Sequence, residues 1–192
     1  MPPTVSPAPL TPLRFLERAA DVHPRRTAIV HGERRIDYAA MAAETTRLAH
    51  ALRASGIEPG DRVAYLAPNI PELLIAHFAV PLAGGVLVAL NTRLAPEEIQ
   101  HILGHSGAKL LVVDGELTAT IAPIADAIPG VREIVTVVDP EAGAAAAAEL
   151  GGIAYADLLE RGSEAPLAWE VDDEDATITI NYTSGTTGQP KA

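Results

Sequence analysis

Four short β-rich apolar runs recur along this chain: Arg62–Leu66, Val86–Leu90, Lys109–Val113 and Glu133–Val138. Stretches of helical periodicity separate them. The segment from Pro71 to Ala83 is apolar enough for a buried helix. Pro96 suits a first helical position with Glu97 and Glu98 in the first turn, and Ile99, Ile102 and Leu103 form one face. A further helix is expected over Leu117–Ile128 and a short one over Tyr155–Arg161. Strands alternating with helices at this spacing predict an α/β fold, a largely parallel sheet flanked by helices.

The flanks fit that frame. Four prolines in the first ten residues make residues 1–10 a loose N-terminal arm. A short helix follows from Thr11 to Ala20. Thr27–His31 and Arg34–Asp37 read as a hairpin around Gly32-Glu33. Asp37 then stands at the N-cap of a helix whose stripe is Tyr38, Met41, Ala42, Thr45, Leu48, Ala49 and Leu52; Glu44, Arg47 and Arg53 lie off the stripe. Residues 141–152, with the alanine run Ala144–Ala148, read as a tolerant surface insert. Residues 11–192 are thus expected to form a single, incomplete domain.

Composition excludes several functions. With 14 basic against 25 acidic side chains the net charge is −11, which argues against a nucleic-acid partner. The chain has no cysteine, so disulfides, thiolate nucleophiles and Cys-ligated metals are absent; a reducing, cytoplasmic compartment fits. Leu73–Leu90 approaches the length of a membrane span. Pro81 and Gly84-Gly85 are expected to interrupt it, so helix, stop and strand account for it without lipid.

The chemistry lies at the end of the chain. The β-rich run Ala176–Asn181 leads into Tyr182-Thr-Ser-Gly-Thr-Thr-Gly-Gln-Pro-Lys191. Gly185 and Gly188 let backbone N–H groups approach an anion with no Cβ in the way. Thr183, Ser184, Thr186 and Thr187 supply hydroxyl donors, and Lys191 a full charge, worth about 4 kcal/mol against a phosphate charge at ~4 Å and an effective dielectric near 20. The group suits a polyphosphate. It is not a Walker A loop, because Pro190 rather than glycine precedes Lys191 and Ala192 follows it. The plain alternative is a Gly/Thr surface turn.

This segment resembles, nearly residue for residue, the phosphate-binding signature of the adenylate-forming (AMP-binding) enzymes, with Ala192 where the family usually has glycine. Thr27–Tyr38, Gly60–Ala64, Pro68-Asn69 and Gly84–Arg93 are similar to the early part of the acyl-CoA synthetase (fatty-acid–CoA ligase) branch, so the resemblance spans about residues 11–192. It implies the N-terminal part of the large domain of an ATP-dependent ligase. Such an enzyme joins a carboxylic acid to ATP, giving an acyl-adenylate and pyrophosphate, then passes the acyl group to the thiol of coenzyme A. By the resemblance, Thr183, Ser184, Gly185, Thr186, Thr187, Gly188 and Lys191 hold the β- and γ-phosphates, and Thr183 also contacts Mg²⁺. The groups that complete catalysis lie later in such enzymes. The chain is therefore expected to be the N-terminal third, with no catalytic residue of its own and no adenylation activity alone. A non-catalytic nucleotide- or phosphate-binding module, or a truncated product, is the competing reading. The strand Ala176–Asn181 is expected to lack neighbours and to favour self-association through its edge.

Other residues have plainer explanations. His101 and His105 share a metal-ligand spacing but lack further ligands. His77 reads as a core or edge histidine. Asp172–Asp175 reads as a solvated turn, and Asn69 and Asn91 as turn residues.

Overall fold

The computed structural model describes residues 9–138, 150–171 and 173–183. The arm at residues 1–8, most of the alanine-rich insert (139–149) and Asp172 lie outside them.

Chain order runs α1 (Leu13–Val22), β1 (Thr27–His31), β2 (Arg34–Asp37), α2 (Tyr38–Ala54), β3 (Arg62–Leu66), α3 (Pro71–Leu82), β4 (Val86–Ala89), α4 (Pro96–Ser106) and β5 (Ala108–Asp114). It continues with α5 (Thr118–Ile121), β6 (Glu133–Val137), β7 (Ile153–Ala154), α6 (Tyr155–Glu160) and β8 (Thr179–Ile180). The hairpin β1–β2 forms its own antiparallel pair. The other strands make one sheet in the order β7-β6-β5-β3-β4-β8, every pairing parallel. The expected α/β class is what is found.

The sheet is covered on both faces, and strand alternation decides which residue serves which core. Val63 and Tyr65 of β3 join Leu87, Leu110, Val112 and Val135 under α1, α2, α3 and α6. Ala64 and Leu66 face the other way, with Val88, Leu111 and Val113, under α4 and α5. Because β4 lies on one side of β3 and β5 on the other, the β4-to-β5 connection passes over β3 and carries α4 to the second face.

Local chemistry sets the boundaries. The Asp37 carboxylate accepts from Ala40 N at 2.8 Å, the N-cap expected for α2. Pro96 opens α4, and the Glu98 carboxylate accepts from Ala95 N at 2.9 Å. Gly107 ends α4 at φ 66°, a left-handed conformation that an L side chain adopts at a cost of about 1 kcal/mol. The Arg62 side chain, at the start of β3, caps the last carbonyls there, donating to Ser106 O and Gly107 O as well as to Gly60 O.

Three expectations change. The helix foreseen over 117–128 is only one turn, α5, between 3₁₀ segments at Gly115–Leu117 and Ala122–Ala127. Pro123 has no N–H for the carbonyl four residues back, so the α-helical ladder stops there. The helix expected over Pro71–Ala83 is found as α3, but Pro81 has no part in interrupting the apolar stretch, since α3 runs through it to Leu82; Ile75, Ala76, Ala79 and Val80 are completely buried, and packing outweighs the one lost bond. Finally, β8 is shorter than Ala176–Asn181. It pairs Thr179 and Ile180 with Leu87 and Val88 of the short strand β4, and Leu87 N adds a bond to Ile178 O. No strand lies on its other side among the described residues.

Candidate phosphate-binding site

β8 delivers the chain from the sheet edge into Asn181-Tyr182-Thr183. Ile180 and Tyr182 pack against the second core, the α4 side. The Tyr182 hydroxyl and His105 Nδ1 share a 2.7 Å hydrogen bond, and the two rings meet edge to face at 5.8 Å. His101 stacks on His105, also at 5.8 Å. The residue leading into the hydroxyl-rich loop is thus tied to the last turn of α4. Burial raises the Tyr182 phenol above its usual pKa, and a hydrogen bond with Ser106 pulls it partly back.

Thr183 is exposed and lies in a β-bridge immediately after Tyr182. Ser184, Gly185, Thr186, Thr187, Gly188 and Lys191 lie outside the described residues, so the structure places the root of the proposed loop. Among the described residues, no cluster of three or more His, Cys, Asp or Glu could hold a metal ion. The Thr183 hydroxyl suits Mg²⁺ as a single neutral oxygen ligand, since that ion keeps several waters and takes phosphate oxygens from its substrate.

The secondary candidates resolve as structural groups. His105 spends Nδ1 on Tyr182. His77 is exposed, rather than core, with Nδ1 2.8 Å from Leu73 O. Asn91 Oδ1 accepts from Arg93 N, and Asp173 Oδ1 from Asp175 N, each at 3.0 Å: both are turns.

Sequence reasoning missed a polar cluster on the opposite face of the sheet. Both Nη atoms of Arg34 (β2) donate to Glu72 Oε1 (α3), each at 3.0 Å. Glu44 of α2, off the apolar stripe, is drawn in beside them; burial and then the Glu72 charge raise its carboxyl pKa. Burial first, and then neighbouring acidic groups, push the phenols of Tyr65 and Tyr155 far above their usual range. The one sequence signal was Glu72, the single acidic residue in the largely apolar helix α3.

Comparison with known proteins settles the affiliation. The family model described as AMP-binding enzyme matches residues 16–192. The chain belongs to the AMP-binding enzyme family. It is 38% identical over 184 residues to 4-hydroxybutyrate–CoA ligase 2 of Metallosphaera sedula, covering 95% of this chain and 33% of that protein. It is 37% identical to acetate–CoA ligase CCL3 of Humulus lupulus, covering 95% and 34%. Among solved structures, the anthranilate–CoA ligase AuaEII in complex with anthranoyl-AMP superposes with a TM-score of 0.83 at 25% identity, covering 96% of this chain and 34% of the other. The chain therefore spans about a third of the length of these relatives. No helix among the described residues is long and apolar enough to cross a membrane.

Proposed function

We propose that this AMP-binding chain forms the N-terminal part of an ATP-dependent acyl-CoA ligase and contributes its triphosphate-holding loop. The carrying observation is the segment Tyr182–Lys191, delivered by an edge strand of a parallel sheet in a chain of this family.

A carboxylate is a poor acyl donor, because displacement would have to expel oxide. In the proposed reaction a carboxylate oxygen attacks the α-phosphorus of ATP. The bond to the bridging oxygen breaks and pyrophosphate departs, leaving an acyl-adenylate. The thiol of coenzyme A then attacks the acyl carbon; AMP leaves and the thiol proton passes to solvent. Charge builds on the departing pyrophosphate in the first step. The hydroxyls of Thr183, Ser184, Thr186 and Thr187, the backbone around Gly185 and Gly188, and the Lys191 ammonium meet that charge. Thr183 would be the contact for Mg²⁺, which when bound neutralises phosphate charge. Tyr182, held by His105, fixes where the loop begins. The acid, ATP and coenzyme A are the partners, and the cysteine-free composition fits work in the cytoplasm.

The test is acid-dependent pyrophosphate release. The 192-residue chain alone is expected to release none. The ligase that contains this sequence is expected to turn over, and to lose on the order of 10²-fold or more in kcat when Lys191 and Thr186 are both replaced by alanine. Full turnover in that variant would defeat the proposal, as would adenylation by the chain alone.

A further inference from the structure

The strand that delivers the hydroxyl-rich loop is weakly specified by its own ladder. β8 pairs only Thr179 with Leu87 and Ile180 with Val88, whereas β3 and β5 pair over five residues. Its sequence, Thr177-Ile178-Thr179-Ile180, repeats itself after two residues. The burial repeats as well: Thr177 and Thr179 are exposed, and Ile178 and Ile180 are half-buried.

Register in a sheet is held by which side chains face the core. A slip by one residue would turn Ile180 and Tyr182 away from the second core, which excludes it. A slip by two residues keeps the alternation. It would set Thr177 and Ile178 against Leu87 and Val88, the same residue types in the same places. The ladder hydrogen bonds do not separate these registers, because backbone groups carry no residue identity. Yet each residue advances a strand by about 3.3 Å, so the loop after β8 would begin about 6.6 Å further out.

Tyr182 breaks the degeneracy. Its hydroxyl lies 2.7 Å from His105 Nδ1, and the two rings meet edge to face at 5.8 Å. A displacement of about 6.6 Å removes both contacts, since a hydrogen bond extends little beyond about 3.2 Å. His101, one turn earlier on α4, stacks on the His105 imidazole at 5.8 Å and backs the ring. The end of α4 is itself tied to β3, because Arg62 donates to Ser106 O and Gly107 O. His105 is therefore a fixed reference point against which β8 is measured.

We propose that His105 is a positioning residue for ATP binding: through the Tyr182 hydroxyl it selects the register of β8, and so the place from which the phosphate loop starts. It acts through Tyr182 rather than on the nucleotide. The inference rests on the ligase reading, in which that loop holds the triphosphate. A protein that samples the slipped register binds ATP more weakly, in proportion to the fraction that is in register.

The test is calorimetric titration of ATP, with excess magnesium chloride, into the ligase that contains this sequence and into its variants. His105→Leu and His105→Gln should each weaken ATP about three- to tenfold, the worth of one lost hydrogen bond. His105→Asn should stay within about twofold of the unsubstituted enzyme, since its side-chain amide lies where the imidazole has Nδ1 and the longer glutamine amide does not. Adding Ile178→Thr to His105→Leu penalises the slipped register, in which residue 178 would take the core place of Ile180. That double variant should recover ATP affinity to within about twofold of the unsubstituted enzyme. Circular dichroism melts check folding, and the asparagine–glutamine comparison stands even where the leucine variant does not fold. Unchanged affinity in folded His105→Gln while Lys191→Ala loses it, equal losses for asparagine and glutamine, or no recovery with Ile178→Thr would each overturn the inference. Unchanged ATP affinity in Lys191→Ala would instead defeat the ligase reading, and this inference with it.

Discussion

Replacing Arg34 by methionine should cost far more than loss of a surface charge. Arg34 lies in the hairpin and Glu72 opens α3, and their side chains are 27% and 10% exposed. Both Arg34 Nη atoms rest on one oxygen, Glu72 Oε1, while Oε2 has no partner among the described residues. Methionine keeps the hydrophobic stem and strips the charge. It leaves a nearly buried carboxylate with no donor and with Glu44 close by. Breaking one side of a buried pair costs about 3–5 kcal/mol, and the partial exposure of Arg34 trims this to about 2–3 kcal/mol. For a chain of this size that corresponds to a fall in Tm of roughly 5–10 °C. A two-stranded hairpin is marginal by itself, so the effect should concentrate there, as faster amide exchange at Ile29, Val30 and Ile36. The double variant Arg34→Met with Glu72→Gln removes both charges and should recover to within about 1 kcal/mol of the unsubstituted chain. Urea titrations followed by Trp169 fluorescence and circular dichroism would measure all four corners of the cycle. A loss below about 0.5 kcal/mol for Arg34→Met, or strict additivity in the double variant, would refute the reasoning, since both describe a solvated pair.

Two further outcomes follow from the same structure. Burial and the Glu72 charge raise the Glu44 pKa above 4.5, so its ionised form opposes folding at neutral pH. As pH falls through the raised value toward 4.5, the folded state takes up the proton first and the penalty disappears. Glu44→Gln should therefore be more stable than the unsubstituted chain near pH 7 and equal to it near pH 4.5; a pH-independent difference in urea midpoints would contradict this. At the sheet edge, β8 pairs only with β4 among the described residues, and Thr179 is exposed. The chain is expected to self-associate with rising concentration in sedimentation velocity, and Thr179→Lys to reduce it by charging that edge. A single monomeric species at every concentration would sink the idea.

Much of this molecule is visible in local pattern. The stripe of α2 and its Asp37 cap, the hairpin, and the positions of β3 to β6 all rest on interactions within a few residues of one another. Periodicity and turn chemistry report such interactions directly. The ten residues from Tyr182 to Lys191 carry their chemistry as a contiguous string, and the family match covers that string with the rest of the domain. The pattern was misleading where one residue's local preference met a larger force. Pro81 was overruled by the buried face of α3, whereas Pro123 broke a helix whose apolar pattern argued for continuity.

What the sequence by itself determined is therefore most of the elements and the parallel α/β class, together with the contiguous string Tyr182–Lys191 on which the proposed phosphate site rests. What only the tertiary structure decided is which distant residues meet. Strand order sent α4 to one face, where His105 reaches Tyr182, 77 positions away. On the other face, Arg34 meets Glu72, 38 positions on, with Glu44 and Tyr155 beside them. Apart from Glu72 in its largely apolar helix, no local signal marks such groups, because what makes them unusual, burial without enough partners, exists only after the chain has packed.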